Sequence, residues 1–221
     1  MTARRIFLLS PAHCGGKRAA VLLNERATFP LAQRLRSSGI TLGEAFSFLS
    51  GLYFRGKLAY IRAFARPPSD VTGASSGGGA WIITSDRGLV APETPVSCDD
   101  LRRMAVVPVD VNEPRYRDPL VRDIARIANA VGPAGEVVLL GSVATGKYVD
   151  VLAATLGGRL RCPAEFVGLG DMSRGALMLR AAAAGRELAY ISVPNRLSRP
   201  LVQTAATAHN RSTARRRAQS S

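Results

Sequence analysis

Short, unbroken runs of apolar residues, separated by stretches with helical spacing, place the strongest constraint on the fold of this chain. The clearest runs span residues 6–9, 81–84, 136–140 and 188–193. Continuous apolar runs of this length are typical of strands that are buried on both faces, as in α/β proteins. The pattern predicts an α/β fold: one compact domain over residues 1–194, with a mixed, largely buried sheet flanked by helices.

Between these runs, the apolar residues recur every three or four positions. Residues 42–65 predict one or two helices that stop at Pro67-Pro68. Residues 117–131 predict an amphipathic helix closed by Gly132-Pro133. Further helices are predicted at 17–23, 98–104, 148–156 and 173–184, and a strand-like segment at 106–111.

Two segments lack the periodicity of helices and strands. The Gly- and Ser-rich residues 69–79 predict a flexible loop within the domain. Residues 195–221 contain six arginines and no acidic residue, which predicts a disordered basic tail.

The charge of the chain favours a polyanionic partner. Its net charge is +14 and its pI is about 11.0. Such a surplus points to nucleic acid or to a phosphorylated nucleoside ligand. Arginine supplies 27 of the 30 basic residues, so the three lysines, Lys17, Lys57 and Lys147, stand out.

Composition argues against several other classes of protein. Cys14, Cys98 and Cys162 are widely spaced and only two histidines accompany them, so neither a metal site nor a disulfide framework is predicted. No cofactor motif is complete. The apolar run at 6–9 is too short for a secretory signal, and no stretch approaches the ~20 residues of a membrane span. We therefore expect a cytoplasmic protein without a membrane partner.

Two loops that follow predicted strands are candidate phosphate sites. Ser10 and Lys17 follow the first strand, whereas Ser142 and Lys147 follow the strand at 136–140. Ligands of open α/β sheets gather at the carboxyl ends of strands, so all four residues are predicted phosphate contacts. The spacing of residues 141–147 resembles a P-loop, but Tyr148 replaces the hydroxyl residue that binds magnesium, which argues against that function.

Arg55 and Lys57 lie in a predicted helix beside Tyr53 and Tyr60. One interpretation is a surface that contacts phosphates and stacks on bases. The other is an ordinary amphipathic helix with an apolar core face and a solvated basic face.

The segment Asp171-Met-Ser-Arg174 opens a predicted helix. Asp171 or Ser173 is expected to cap it. Arg174 in the first turn faces the positive helix end and needs a compensating anion, either Asp171 or a ligand phosphate. Ser173 and Arg174 are thus candidate phosphate contacts, and Asp171, Asp86 and Lys17 are candidate catalytic groups.

Taken in chain order, five segments resemble the YaaA-type peroxide-stress protein family. They are Ser10-Pro11-Ala12 with Lys17, residues 52–64, residues 83–89 with Pro92, residues 140–142 with Tyr148, and residues 171–174. The chain departs from the family pattern by inserting residues 13–16 before the lysine and by replacing the basic stretch before Met172. The resemblance implies a compact α/β fold with a positively charged cleft, DNA binding and a role in oxidative-stress protection.

These observations leave three functions open. In the first, a nucleic-acid-binding protein grips DNA in a basic cleft, where Lys17 and Lys147 share a pocket with Ser10, Ser142 and Arg174. In the second, an enzyme uses the same pocket on a nucleotide, nucleoside or modified nucleobase, with Asp171 or Asp86 as acid or base. In the third, a stress-related structural protein carries its charge incidentally.

Overall fold

A six-stranded sheet lies at the centre of the protein. The structure, a computed structural model, describes residues 5–66, 77–144 and 146–193. The strands are β1 Arg5–Leu9, β2 Ile40–Thr41, β3 Ala80–Ile83, β4 Leu89–Val90, β5 Pro95–Val96, β6 Glu136–Leu140, β7 Leu160–Pro163 and β8 Tyr190–Ser192. Their order in the sheet is β4-β3-β1-β6-β7-β8, and β2 pairs separately with β5. The predicted tail at 195–221 and most of the predicted loop at 69–79 lie outside the described residues.

The sheet is mixed. β1 runs parallel to both β3 and β6, and β6 runs parallel to β7. The edge strands β4 and β8 are antiparallel to their neighbours. This arrangement confirms the predicted α/β class with a mixed sheet.

Helices cover both faces of the sheet. They are α1 Lys17–Leu22, α2 Pro30–Ser37, α3 Leu42–Ser50, α4 Leu52–Phe64, α5 Cys98–Val106, α6 Pro114–Val131, α7 Gly146–Leu156 and α8 Asp171–Ala183. Phe7 and Leu9 of β1 pack into the core that contains α1–α4 and α8, whereas Ile6 and Leu8 pack into the core that contains α6 and α7. Alternate side chains of β1 thus pack into the two apolar cores on opposite faces of the sheet.

Several element boundaries differ from the predicted ones. The helical stretch at 42–65 forms two helices, because Gly51 adopts a positive φ of 62° between them. The strand-like interpretation of 106–111 is wrong: α5 continues through Val106 and no strand follows before α6. Valines favour strands, but Pro108 cannot donate a ladder hydrogen bond.

Helices α4 and α8 cross with their backbones in contact. A Cβ atom added to Gly56 would lie 2.5 Å from the carbonyl oxygen of Gly175, and one added to Gly175 would lie 2.8 Å from Cα of Tyr53. The crossing therefore requires glycine on both helices, and it brings Tyr53 and Lys57 close to the start of α8. Among the described residues, no helix is long and apolar enough to span a membrane.

Candidate active site

The candidate site lies at the topological switch point of the sheet, between β1 and β6, where the strand order reverses. From β1 the chain leads to β3 on one side, and from β6 it leads to β7 on the other. Ligands of such sheets bind at the carboxyl ends of the two strands that flank this switch point. Ser10 follows β1 there, and its backbone N–H donates to the carbonyl of Leu140 in β6 over 3.2 Å.

A cavity of about 770 Å³ opens at this position, which we call the switch-point cavity. Its polar lining comprises Ser10, His13, Ser50, Tyr53, Ser85, Asp110, Ser142, Lys147, Tyr148 and Asp171. Among the described residues, Lys147 is the only lysine or arginine in this lining, and Asp110 and Asp171 line the cavity with it. The basic cleft that the family resemblance implies stays a prediction.

Lys57 lies directly beneath Ser10. Its side chain is 1% exposed, and its ammonium donates to the Ser10 hydroxyl over 2.7 Å and to the Ser10 carbonyl over 3.0 Å. Nζ also lies 4.0 Å from the centre of the Tyr53 ring. Lys57 does not itself line the cavity, so Ser10 separates it from the space that a ligand would fill.

The pKa of Lys57 is the most unusual feature of the site. Burial lowers this pKa to about 7, with an upward contribution from Asp171 and a further downward one from Arg174. Near neutral pH the amine is thus often uncharged. In that form it can accept the Ser10 hydroxyl proton while still donating to the Ser10 carbonyl.

Tyr148 occupies the other side of Ser10. Its hydroxyl accepts a hydrogen bond from the Ser142 backbone N–H over 3.1 Å. Burial raises the pKa of Tyr148, partly offset by hydrogen bonding with Ser10, so the phenol stays protonated. A Cβ atom on Gly141 would lie 2.8 Å from Cβ of Ser10 and 3.2 Å from the Tyr148 hydroxyl, so glycine is needed for this close approach.

Tyr53 lines the cavity, but its hydroxyl is buried within the protein. Tyr53 is 5% exposed, and within the described segments its hydroxyl makes no hydrogen bond. Burial is the main reason that its pKa is raised, although the nearby Arg174 partly offsets the rise. Because protein atoms shield this hydroxyl from the cavity, it offers no direct contact to a ligand.

Arg174 is held by the protein itself. It is 6% exposed, and its guanidinium donates to the Phe166 carbonyl over 3.0 and 3.2 Å and to Asp171 over 3.3 Å. The expected compensating anion is therefore Asp171, in a local ion pair. The predicted capping is wrong: Gly170 is the N-cap of α8, no side chain caps the helix, and Ser173 is exposed.

The other predicted residues are dispersed. Ser142, Lys147 and Asp171 line the cavity with Ser10, whereas Lys17 is exposed at the start of α1 and is not part of the lining. Lys17 and Lys147 therefore do not share this pocket. Asp86 forms an ion pair with Arg87 over 2.8 Å and does not line the cavity.

Arg55 points away from Lys57, on the opposite face of α4. It lines a second depression of about 890 Å³ with Arg18 and Arg62, which we call the arginine groove. Glu44 and Glu93 also line this groove, but Glu44 pairs with Arg34. The groove and the switch-point cavity adjoin at the α3–α4 corner, where residues 47, 48 and 51 line the groove and residues 49 and 50 line the cavity.

Cys14 also lines the cavity, but it is a poor nucleophile. Burial, assisted by the charge of Asp86, raises the pKa of its thiol to about 12. The thiol is therefore protonated at neutral pH.

Sequence reasoning missed the pairing of Lys57 with Ser10 and the presence of Tyr53 and Asp110 in the lining. One signal was available for Lys57. It lies at helical spacing within the apolar stripe of α4, in line with Tyr53, Tyr60, Ile61 and Phe64.

Fold and site together define an α/β protein with a ligand-sized cavity at the switch point of its sheet. The chain matches no family model, no curated protein and no solved structure. Its function is therefore inferred from the geometry of the cavity.

Proposed function

We propose that the protein is an enzyme that acts on a nucleotide, nucleoside or modified nucleobase bound in the switch-point cavity. The observation that carries this proposal is the 2.7 Å hydrogen bond between buried Lys57 and Ser10 at the cavity floor. Within the described residues, Lys57 forms no ion pair that would offset the cost of burying a charge. Buried titratable groups without a charge partner lower the stability of a protein, and such groups are concentrated at functional sites.

The cavity suits a ligand of this class. Its volume of about 770 Å³ lies within the ~300–1,000 Å³ of small-molecule sites. Lys147 offers a cation for a phosphate, and Asp110 and Asp171 can accept from sugar hydroxyls or base amino groups.

Binding is tested with a thermal-shift and calorimetric screen of nucleotides, nucleosides and nucleobases. A ligand should raise the melting temperature, because it binds the folded state alone. We expect Lys147→Ala to weaken binding of a phosphorylated ligand about tenfold and to leave its unphosphorylated counterpart unaffected, a loss of ~1.4 kcal/mol.

Lys17→Ala is the matched control, since Lys17 is exposed and lies outside the cavity lining. It should leave both affinities unchanged. A screen in which no compound binds, or in which both lysine variants lose affinity equally, would contradict the proposal.

The arginine groove favours a second candidate function, binding of nucleic acid, with DNA favoured. Arg55 and Arg62 are exposed on one face of α4, and neither forms an ion pair within the described residues. Unpaired guanidinium groups on one face suit contacts with successive phosphates. Affinity for a DNA duplex that falls steeply with salt tests this candidate. A role in oxidative-stress protection rests on the family resemblance alone.

A further inference from the structure

The floor of the switch-point cavity has two layers, and this inference rests on the proposed enzymatic function. Ser10 forms the inner surface, and Lys57 lies behind it. Ser10 is fixed by its N–H bond to Leu140 in β6 and by the Lys57 bond to its carbonyl, so its hydroxyl has a defined position. A hydroxyl held against a buried amine is the arrangement of a Ser–Lys nucleophile pair.

We infer that Ser10 is the nucleophile of an acyl-transfer reaction, that Lys57 is its general base, and that the substrate carries an ester or amide carbonyl. Two other candidates for the attacking atom fail on geometry or protonation. Lys57 lies behind Ser10 and donates to both of its oxygen atoms, so Nζ can exchange protons with a group at Ser10 Oγ but has no open path for bonding to a ligand carbonyl as an imine. The Cys14 thiol is protonated at neutral pH.

The first half of the reaction makes a serine ester. Neutral Lys57 takes the proton of the Ser10 hydroxyl while Oγ forms a bond to the carbonyl carbon. The carbonyl oxygen gains negative charge, and the protonated Tyr148 hydroxyl beside Ser10 can donate to it. The bond to the leaving nitrogen or oxygen then breaks, and the leaving group takes the proton from Lys57.

The second half restores the enzyme. A water molecule gives a proton to Lys57 and attacks the ester carbon. The bond to Ser10 Oγ breaks, and Ser10 recovers its proton from Lys57. The overall reaction is hydrolysis of an ester or amide to a carboxylic acid and an alcohol or amine, with no change of oxidation state.

An active-site-directed fluorophosphonate tests the inference on the full chain, because its phosphorus forms a bond to an activated serine oxygen as fluoride leaves. We expect one adduct by intact mass, located in the peptide 6–17 that is released by cleavage after Arg5 and Lys17. Ser10→Ala should abolish labelling, and Lys57→Met should slow it by about 100-fold.

Ser37→Ala is the matched control, because Ser37 is an exposed serine outside the cavity lining and its hydroxyl donates to the Gln33 carbonyl. This variant should label like the wild type. In the wild type, the rate of labelling should rise about tenfold per pH unit below pH 7 and level off above it, as Lys57 loses its proton.

The pH profile makes the test independent of whether the Lys57 variant folds. A rate that keeps rising to pH 10, labelling of another residue, or equal rates for folded Lys57→Met and wild type would overturn the inference. Ligand binding without Ser10 labelling would leave the proposed function standing and remove only the acyl-transfer chemistry. Labelling of Ser10 without any ligand in the nucleotide screen would support the acyl-transfer chemistry and remove the proposed nucleotide, nucleoside or nucleobase substrate.

Discussion

At the scale of single residues, the most informative basic residue is Lys57, and its importance does not come from the net charge of the chain. The chain has 30 basic residues, but the one that contacts Ser10 is buried and has a pKa of about 7. Its chemistry depends on its being uncharged for part of the time. A guanidinium could not replace it, because arginine does not lose its proton in proteins.

The lowered pKa of Lys57 should make stability depend on pH. In the unfolded chain a lysine titrates near ~10.4, so between pH 7 and 10.5 the unfolded state binds the extra proton. The contribution of Lys57 to the free energy of unfolding therefore rises with pH between pH 7 and 10.5. Below pH 7 the folded protein carries the full cost of a buried charge. Relative to Lys57→Met, the wild type should gain on the order of several kcal/mol between pH 7 and 10.5.

Urea unfolding of both proteins at pH 6, 8 and 10 measures this effect. Lys147→Met is the control, because it removes an exposed lysine and leaves Lys57 in place. A stability difference between wild type and Lys57→Met that is constant with pH would show that Lys57 titrates like a surface lysine.

At the scale of elements, the crossing of α4 and α8 assembles the site from two distant parts of the sequence. Gly56 and Gly175 let the backbones touch. Tyr53 and Lys57 on α4 thereby meet Asp171 and Arg174 at the start of α8. The charges that act on the pKa of Lys57 both come from this second helix.

A methyl group at this crossing should force the helices apart. We expect Gly56→Ala to destabilise the protein by ~1–3 kcal/mol, because its Cβ would lie 2.5 Å from the Gly175 carbonyl oxygen. The urea midpoint measures this loss. Gly158→Ala is the control, since nothing lies within 4 Å of its added Cβ and it should change stability little. Equal effects of the two substitutions would contradict the tight crossing.

The elements show which features the sequence reveals. The apolar runs that became β1, β3 and β6, and the helical stretches that became α3, α4 and α6, are long or periodic enough to be recognised. β2, β4 and β5 span two residues each, too few for any period to emerge. Ser10 and Ser142 could be predicted as site residues because ligands of α/β sheets bind at the carboxyl ends of strands. The burial of Lys57 could not, because it depends on how α4 packs in the folded protein.

At the scale of the whole molecule, α4 separates two surfaces of different character. One face of the helix presents Tyr53 to the switch-point cavity and buries Lys57 beneath it, and the other presents Arg55 and Arg62 to the arginine groove. The proposed surface for a polyanion and the proposed site for a small ligand thus lie on different faces of α4.

This separation predicts that the two activities can be removed independently. The double variant Arg55→Ala/Arg62→Ala should bind a DNA duplex more weakly, and the slope of log affinity against log salt should fall by about two, because two phosphate contacts are lost. It should keep the wild-type rate of Ser10 labelling. Lys57→Met should lose labelling and keep the salt slope.

Binding isotherms at several salt concentrations, together with labelling rates, test both halves. Arg122→Ala serves as the control for general charge, because Arg122 pairs with Asp123 away from the groove. If Arg122→Ala lowers the salt slope by half as much as the double groove variant does, then DNA binds to positive charge anywhere on the protein surface and not specifically to the arginine groove.

The position of Ser10 beside the central strand has a consequence for how the site can change. Its amide is bonded between two inner strands, so we expect it to exchange hydrogen with solvent among the slowest in the chain. Exchange that slow would mean that the backbone at Ser10, the proposed nucleophile, has very little local motion. New substrates would then have to be accommodated by the rim of the cavity, around residues 12–14, 107–110, 142 and 147, while Ser10 stays where the sheet holds it.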